Sequence, residues 1–481
     1  MNRRMIFNAV GIVLKVEAVL LLLPAAVSAV YRESSLLAFI ITSAVSFFLG
    51  MLPSLLLKPR TRLIYAKEGF IIVAFTWVML SLIGAIPFVI SGEISSPVDA
   101  FFETVSGFTT TGASVVADME VMSHGILFWR SFTHWIGGMG IIVFVMAILP
   151  NVSERPIHIL RAEVPGPITG KLVPRIKDTA VILYLIYIVM TLIEIVLLVI
   201  GGMPLFESVV HAFGTAGTGG FGVKRDSIGG YSPYLQWVIT VFMVLFGVNF
   251  NLYYLIIIKK FKNVFKSSEL WCYLGVVLSS VALITFNIRG IFGTFSESLR
   301  AAAFQVASII STTGYATADF NLWPSLSKNI LLILMFIGGC AGSTAGGIKV
   351  SRIVVLFKLI GNGIKRMIHP RSVTSLRFEG KVLDGATKKN ISNYYLIYFV
   401  CFFAIFLCLS IEPFDLETNL TATAACFNNV GPGFGMVGPT GGYGDYSDFS
   451  KLVLSVGMLL GRLEIYPLII ACMPAAWSKN R

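Results

Sequence analysis

Charge is what this sequence has least of. Only 13% of its residues are Asp, Glu, Lys or Arg, against roughly 25% in soluble domains, while 56% are apolar and the mean hydropathy is +0.82. That shortage excludes any large soluble domain. Histidine is also scarce, and His124, His134, His158, His211 and His369 show no paired metal spacing. No Ser/His/Asp or Cys/His set can be assembled from the chain, so a membrane-embedded enzyme is only a distant alternative. The six cysteines (Cys272, Cys340, Cys401, Cys408, Cys426, Cys472) fall almost entirely within apolar segments, without ligand spacing, and read as small packing residues. Gly217-Thr-Gly-Gly-Phe-Gly222 fits a dinucleotide pattern but lacks the surrounding strand and helix, and Gly342 to Lys349 is one residue out from a phosphate-binding loop. No bound cofactor is expected.

What the chain has instead is apolar runs of about 20 residues, the length that crosses a bilayer core. They recur from end to end, so the expected class is an all-α integral membrane protein with the lipid bilayer as its surroundings. A net charge of +12 could suggest nucleic acid, but its distribution excludes that partner. Most of the 37 Lys and Arg residues lie at the two termini and in four loops, Lys58 to Lys67, Arg155 to Lys177, Lys259 to Lys266 and Lys349 to Lys389, while the alternate loops are acidic. By the positive-inside rule the termini and these four loops are cytoplasmic. The first apolar run, after Arg3-Arg4, leads straight into a second and reads as retained rather than cleaved.

Two runs, about 7–30 and 36–57, form an opening hairpin. A third, about 70–90, precedes Ser96-Pro97-Val98-Asp99, a helix-start signal. The helix it starts, about 98–107, is half a bilayer long and ends before Thr110-Thr111-Gly112; a run from Ile126 to Leu149 then crosses back. The same order recurs with a long run at 180–200, a short helix at 204–214, Thr218-Gly219-Gly220 and a return at 235–258. A third copy uses 270–286, 296–308, Thr312-Thr313-Gly314 and a return from Asn329. The fourth uses 393–411, 415–427, Asn429-Val430-Gly431 and 452–473. Gly112, Gly220, Gly314 and Gly431 therefore recur about every hundred residues, the mark of internal repeats. The expected organisation is a hairpin (1–66) and four pore repeats (67–155, 156–265, 266–380, 381–481), giving ten crossings and four re-entrant loops.

Irregular backbone at membrane depth survives only where protein buries it or water lines it. Four such loops around one axis would let carbonyl oxygens replace the hydration shell of a cation, and glycine at the third position turns successive carbonyls to one side without a Cβ penalty. Thr110, Thr218, Thr312 and Asn429 would add side-chain oxygens at the inner end. The short helices start with acids (Asp99, Glu207, Glu297, Asp415, Glu417) and aim their negative ends at the loops.

The return run of the third repeat contains Gly338-Gly339-Cys340-Ala341-Gly342-Ser343-Thr344-Ala345-Gly346-Gly347. Its five glycines, at roughly 1 kcal/mol each relative to Ala, predict a broken helix near the midplane. Arg462 lies about ten residues into the last apolar run, where a cation marks a functional site. It is expected to face the pore beneath the loops and bond carbonyls of the 338–347 segment. Glu464 lies on a different helix face and does not simply neutralise it. Glu17 and Glu194 also lie in apolar runs, with no evident partner for either.

Gly107-Phe-Thr-Thr-Thr-Gly-Ala113, Thr218-Gly-Gly-Phe221, Ser311-Thr-Thr-Gly314, Gly338 to Lys349 and Gly461-Arg462 together resemble the Trk/Ktr/HKT superfamily of K⁺ transporters, in its bacterial Trk form. The resemblance implies K⁺ uptake, with K⁺ held at Thr110, Thr111, Gly112, Thr218, Gly219, Gly220, Thr312, Thr313, Gly314, Asn429, Val430 and Gly431. Gly112 argues for K⁺, since relatives with Ser there tend toward Na⁺. It also implies a gate beneath the filter, built from Gly338, Gly339, Gly342, Ser343, Thr344, Gly346, Gly347 and Arg462. A homodimer in a bacterial inner membrane is implied, with a cytoplasmic nucleotide-binding (NAD- or ATP-type) regulatory subunit. A Na⁺-permeable relative or a Na⁺/H⁺-coupled symporter is the alternative; coupled carriers also break helices at midplane but do not need four glycine-centred loops.

Overall fold

The computed structural model describes residues 2–57, 65–140, 176–371 and 375–478. The basic loop from Arg155, most of that from Lys58, and the end of the crossing expected to reach Leu149 lie outside the described residues. The rest is helical apart from one two-stranded hairpin, β1 (Arg377–Phe378) with β2 (Lys381–Val382). Among the described residues, six helices are long and apolar enough to cross a membrane, seven if one bent pair counts as a span.

The opening hairpin is α1 (Arg3–Leu20), α2 (Leu22–Tyr31) and α3 (Ser35–Leu56). The first run, expected as one helix, is split at Leu21, just ahead of Pro24, whose ring nitrogen cannot donate to the preceding turn. Gly11 and Gly50 let α1 and α3 cross closely: a methyl on either would lie within 2.7 Å of the other's carbonyl oxygen. Glu17, unpartnered in the sequence pattern, accepts a bond from the Ser46 hydroxyl at 3.3 Å in this same seam.

Each repeat then supplies a long helix and a short one. The long helices are α4 (Ala66–Gly84) continued by α5 (Ile86–Ser91), α8 (Ile176–Ile200), α13 (Ser268–Asn287) and α17 (Gly385–Leu409). The short ones are α6 (Pro97–Phe108), α9 (Leu205–Gly217), α14 (Phe295–Ile310) and α18 (Leu416–Phe427). Ser96, Thr294 and Asp415 cap three of these with side-chain oxygens.

The return helices correct the sequence reading. The second and fourth were expected unbroken, and both are broken. The second is α10 (Pro233–Phe246) and α11 (Phe250–Ile257), bent by 92°; between them the Gly247 carbonyl accepts from Cys340 N at 2.9 Å, a bond that straight helix would forbid. A short α12 (Phe261–Phe265) leads to the third repeat. There the return is α15 (Ser325–Ile337), an irregular segment 338–349, and the amphipathic α16 (Val350–Ile368). The fourth is α19 (Asp448–Arg462) and α20 (Tyr466–Cys472), separated by Leu463, Glu464 and Ile465, the last two with φ of 59° and 68°. The first, α7 (His124–Gly138), ends at Gly140 with φ 84°, where the described stretch stops.

Glu33, between α2 and α3, docks the hairpin on the first repeat. Its oxygens accept from His124 N (2.7 Å), Gly125 N (3.0 Å) and the His124 ring (2.9 Å). Burial alone would raise this carboxyl, but the bonds from Gly125 and His124 hold it below its ordinary 4.5. The docking contribution is therefore complete above that value and lost as pH falls through the lower folded value. Thermal midpoints followed from neutral to acid pH should drop below pH 4.5 in the wild type, and this step should vanish in Glu33→Gln.

Candidate functional site

The four short helices end in the same way. Thr110, Thr218, Thr312 and Asn429 have φ of 55°, 57°, 59° and 56°, and each donates to the carbonyl three residues back, at 3.1, 3.0, 3.1 and 3.3 Å. The next residue (Thr111, Gly219, Thr313, Val430) donates to the carbonyl five back, at 2.8 Å in every repeat. This is a Schellman ending, whose left-handed position normally carries glycine. Three of the four positions instead carry β-branched threonine, a placement that costs about 1–2 kcal/mol each and persists only where the surroundings enforce it. Two residues on, Gly112, Gly220, Gly314 and Gly431 return to positive φ at 79°, 78°, 85° and 95°. Left-handed residues in alternation keep successive carbonyls on one side of the strand.

The loops close into a ring. A methyl on Gly112 would lie 2.0 Å from the Gly219 carbonyl oxygen, one on Gly220 2.0 Å from that of Thr313, one on Gly314 2.3 Å from that of Val430, and one on Gly431 2.7 Å from that of Thr111. Each glycine thus abuts the middle carbonyl of the next loop, in the order one, two, three, four, one. No larger residue fits at any of the four without moving backbone.

The side chains at the inner positions are less symmetric than the backbone. Thr110 Oγ1 and Asn429 Oδ1 are buried and accept no hydrogen bond, so both oxygens are available to a cation. Thr218 Oγ1 donates to Gly217 O (2.6 Å) and Thr312 Oγ1 accepts from Gly346 N (2.6 Å). The expected oxygen ring is thus two free oxygens and two engaged ones. The starting acids are also largely engaged locally: Asp99 with Lys451 (2.6 Å), Glu417 with Lys328 (2.9 Å), and Glu207 with the Tyr231 hydroxyl (2.7 Å).

Behind the first loop lies a pair the sequence reading missed. Glu103 on α6 and Arg130 on α7 are both buried and bonded through Arg130 Nε (2.9 Å) and Nη2 (2.6 Å). The same carboxylate accepts from Ser114 Oγ (2.9 Å) and Val115 N (3.0 Å), pinning the outer end of the loop. Arg130 was findable by the criterion that singled out Arg462, a cation within an apolar run. His134, also missed, ties two repeats together: Nδ1 donates to Gly107 O (2.7 Å) and Nε2 accepts from Phe221 N (3.3 Å), which fixes a neutral ring protonated at Nδ1. Tyr315 OH reaches His211 O and Phe221 O, and Tyr443 OH donates to Gly431 O.

Beneath the ring lies the 338–349 segment. Ile348 N bonds Phe336 O and Lys349 N bonds Ile337 O, so the chain leaves beside its point of entry and the segment is a closed excursion. Gly338, Gly342 and Gly347 have positive φ, and Gly339 sits against Ala345 and the Gly247 carbonyl. Ser343 Oγ donates to Cys340 O, and Thr344 Oγ1 to Phe246 O. The segment touches the third and fourth loops of the ring directly, through Gly346 N to Thr312 Oγ1 and Gly347 N to Asn428 O (3.0 Å); at Gly346 a methyl would lie 2.3 Å from Asn428 O. Arg462 donates to Thr344 O (2.8 Å) and to Gly137 O and Gly138 O (2.6 and 2.7 Å). Glu464 pairs not with Arg462 but with Arg352 at the start of α16. Buried Lys349, also missed, bonds Ala345 O.

The comparisons with known proteins cover the whole chain. The family model described as "TrkH: Cation transport protein" matches residues 35–288 and 265–479. The Trk system potassium uptake protein TrkH of Salmonella typhimurium is 34% identical over 488 residues, covering 100% of both chains. The Trk system potassium uptake protein TrkG of Escherichia coli is 33% identical over 98% of each. The crystal structure of the potassium transporter TrkH from Vibrio parahaemolyticus superposes with a TM-score of 0.89 at 33% identity, over 99% of this chain and 100% of that one.

Removing one member of a buried ion pair strands the other charge and costs about 3–5 kcal/mol. Arg130→Met should therefore lower the thermal midpoint in detergent sharply. Charge loss at both positions, in Arg130→Met with Glu103→Gln, should recover part of the drop.

Proposed function

Because the chain belongs to the TrkH family of cation transport proteins, we propose that it takes K⁺ into the cell through the axis of the four-loop ring. The observation that carries this reading is the closed cycle of glycine-to-carbonyl contacts between Gly112, Gly220, Gly314 and Gly431 and their neighbouring loops. K⁺ enters from the acidic face, sheds water, and is held by the carbonyls of Thr110, Thr111, Gly112, Thr218, Gly219, Gly220, Thr312, Thr313, Gly314, Asn429, Val430 and Gly431, which stand in for its hydration shell. The carbonyl ends of the short helices add negative potential. The ion then moves down its electrochemical gradient.

The 338–349 excursion lies across the exit and serves as the gate, and two of its contacts support that role. Gly346 and Gly347 bond the filter loops from below, and Arg462 places its charge against the Thr344, Gly137 and Gly138 carbonyls. Passage requires the excursion to withdraw. The charge distribution supports cytoplasmic termini in a bacterial inner membrane. A homodimer served by a cytoplasmic nucleotide-binding subunit completes the proposed assembly, in keeping with relatives named for the Trk system.

Uptake of ⁸⁶Rb⁺ into proteoliposomes, competed with K⁺ or Na⁺, tests the filter. K⁺ should suppress uptake far better than Na⁺ in the wild type, and Gly112→Ser, whose Cβ meets Gly219 O, should narrow that difference. Equal competition in the wild type would identify a Na⁺-permeable relative. Arg462→Gln tests the gate: it should raise basal flux, and unchanged flux and gating would remove Arg462 from the mechanism.

A further inference from the structure

The gating excursion is held from its cytoplasmic side by one carboxylate. Glu269, in the first turn of α13, is buried. Its Oε1 accepts from Ala341 N at 2.7 Å and from Ser351 N at 3.1 Å. Ala341 lies on the outgoing limb of the excursion and Ser351 in the first turn of α16, just past its return, so a single oxygen spans the neck. In the break between α10 and α11, Phe250 N donates to Gly342 O (3.0 Å). The same excursion is thus held by the second repeat's broken helix, through Gly247 and Phe250, and by Glu269. Buried amides left without an acceptor lose their hydration with nothing in return, which makes this an unfavourable bond set to break while the excursion stays in place.

The element carrying Glu269 is itself tied to a cytoplasmic feature. Glu379 occupies the exposed turn between β1 and β2, with φ 47°. Its Oε1 accepts from Ser267 Oγ (3.2 Å), Ser268 Oγ (3.0 Å) and Glu269 N (3.0 Å). It caps α13 from outside, satisfying free amide and hydroxyl donors at the helix start. The route from hairpin to gate is thus short and continuous: Glu379, the first turn of α13, Glu269, then Ala341 and Ser351.

We propose that Glu269 is a positioning residue that latches the 338–349 excursion closed beneath the filter, and that Glu379 couples this latch to the cytoplasmic β-hairpin. The inference rests on the excursion being the gate. Displacing the hairpin withdraws the cap, frees the first turn of α13 and loosens both limbs of the excursion together. Hydrogen-bond acceptance by Glu269, rather than its charge, is what holds the latch, because Oε1 serves backbone amides of the excursion and of the helix that follows it.

⁸⁶Rb⁺ flux in proteoliposomes and hydrogen exchange at residues 339–351 test this together. Glu269→Ala should raise basal flux on the order of tenfold, the effect of losing roughly one to two net hydrogen bonds, and should speed exchange. Glu269→Gln, which keeps a carbonyl oxygen, should stay near wild type. Glu379→Ala should act in the same direction more weakly, and adding it to Glu269→Ala should change nothing further. Should Glu269→Ala fail to fold, exposed Glu379→Ala carries the test alone, with raised flux and faster exchange expected. Unchanged flux in both alanine variants while Arg462→Gln raises flux would overturn the latch and leave the gate standing. Unchanged flux in all three would overturn the gate as well, and equal effects of Glu269→Gln and Glu269→Ala would assign Glu269 an electrostatic role instead.

Discussion

Everything in this structure answers to one constraint: four short stretches of non-helical backbone sit at a depth where no bulk water can satisfy them. Their first amides are used by the Schellman endings, and the middle carbonyl of each loop packs against the glycine of the loop beside it. A ring of carbonyl oxygens repels itself unless a cation or a rigid frame holds it. The frame is visible: Glu103 with Arg130 behind the first loop, His134 between the first and second, Tyr315 between the second and third, and Tyr443 on the fourth. Polar side chains buried in a membrane protein are costly, and here they are spent on fixing backbone that the helices alone cannot fix.

The breaks in the return helices follow from the same constraint. A straight helix has no spare donors or acceptors for a neighbour. By breaking near Gly247, at 338–349 and at Glu464, the chain frees the carbonyls and amides that bind Cys340, the filter loops and Arg462 to one another. The carbonyls of Gly137 and Gly138 at the end of α7 serve the same purpose. Arg462 therefore meets carbonyls from two repeats while its near neighbour Glu464 meets Arg352 in a third element.

The architecture was legible where glycine and polarity interrupt apolar runs. Gly112, Gly220, Gly314 and Gly431 located the loops, and the five glycines from Gly338 to Gly347 located the excursion, because nothing else would place such residues at membrane depth. The breaks at Gly247 to Asn249 and at Leu463 to Ile465 were not legible, because a single polar side chain in each, Asn249 or Glu464, does not interrupt an apolar run and hydropathy does not register a backbone that bends. Glu103 and Arg130 were each visible as charges, but their pairing spans 27 positions and two helices. Glu269 looked like the ordinary start of a crossing; its partners come from residues more than seventy positions away.

The threonine endings of the loops also bear on how such a ring can change. The four walls are written in four separate places along one chain, and they already differ: Thr110 and Asn429 keep a free oxygen, while Thr218 and Thr312 do not. In a ring assembled from four identical chains, any substitution is made four times at once. Here a single codon alters one wall and leaves the other three as they were.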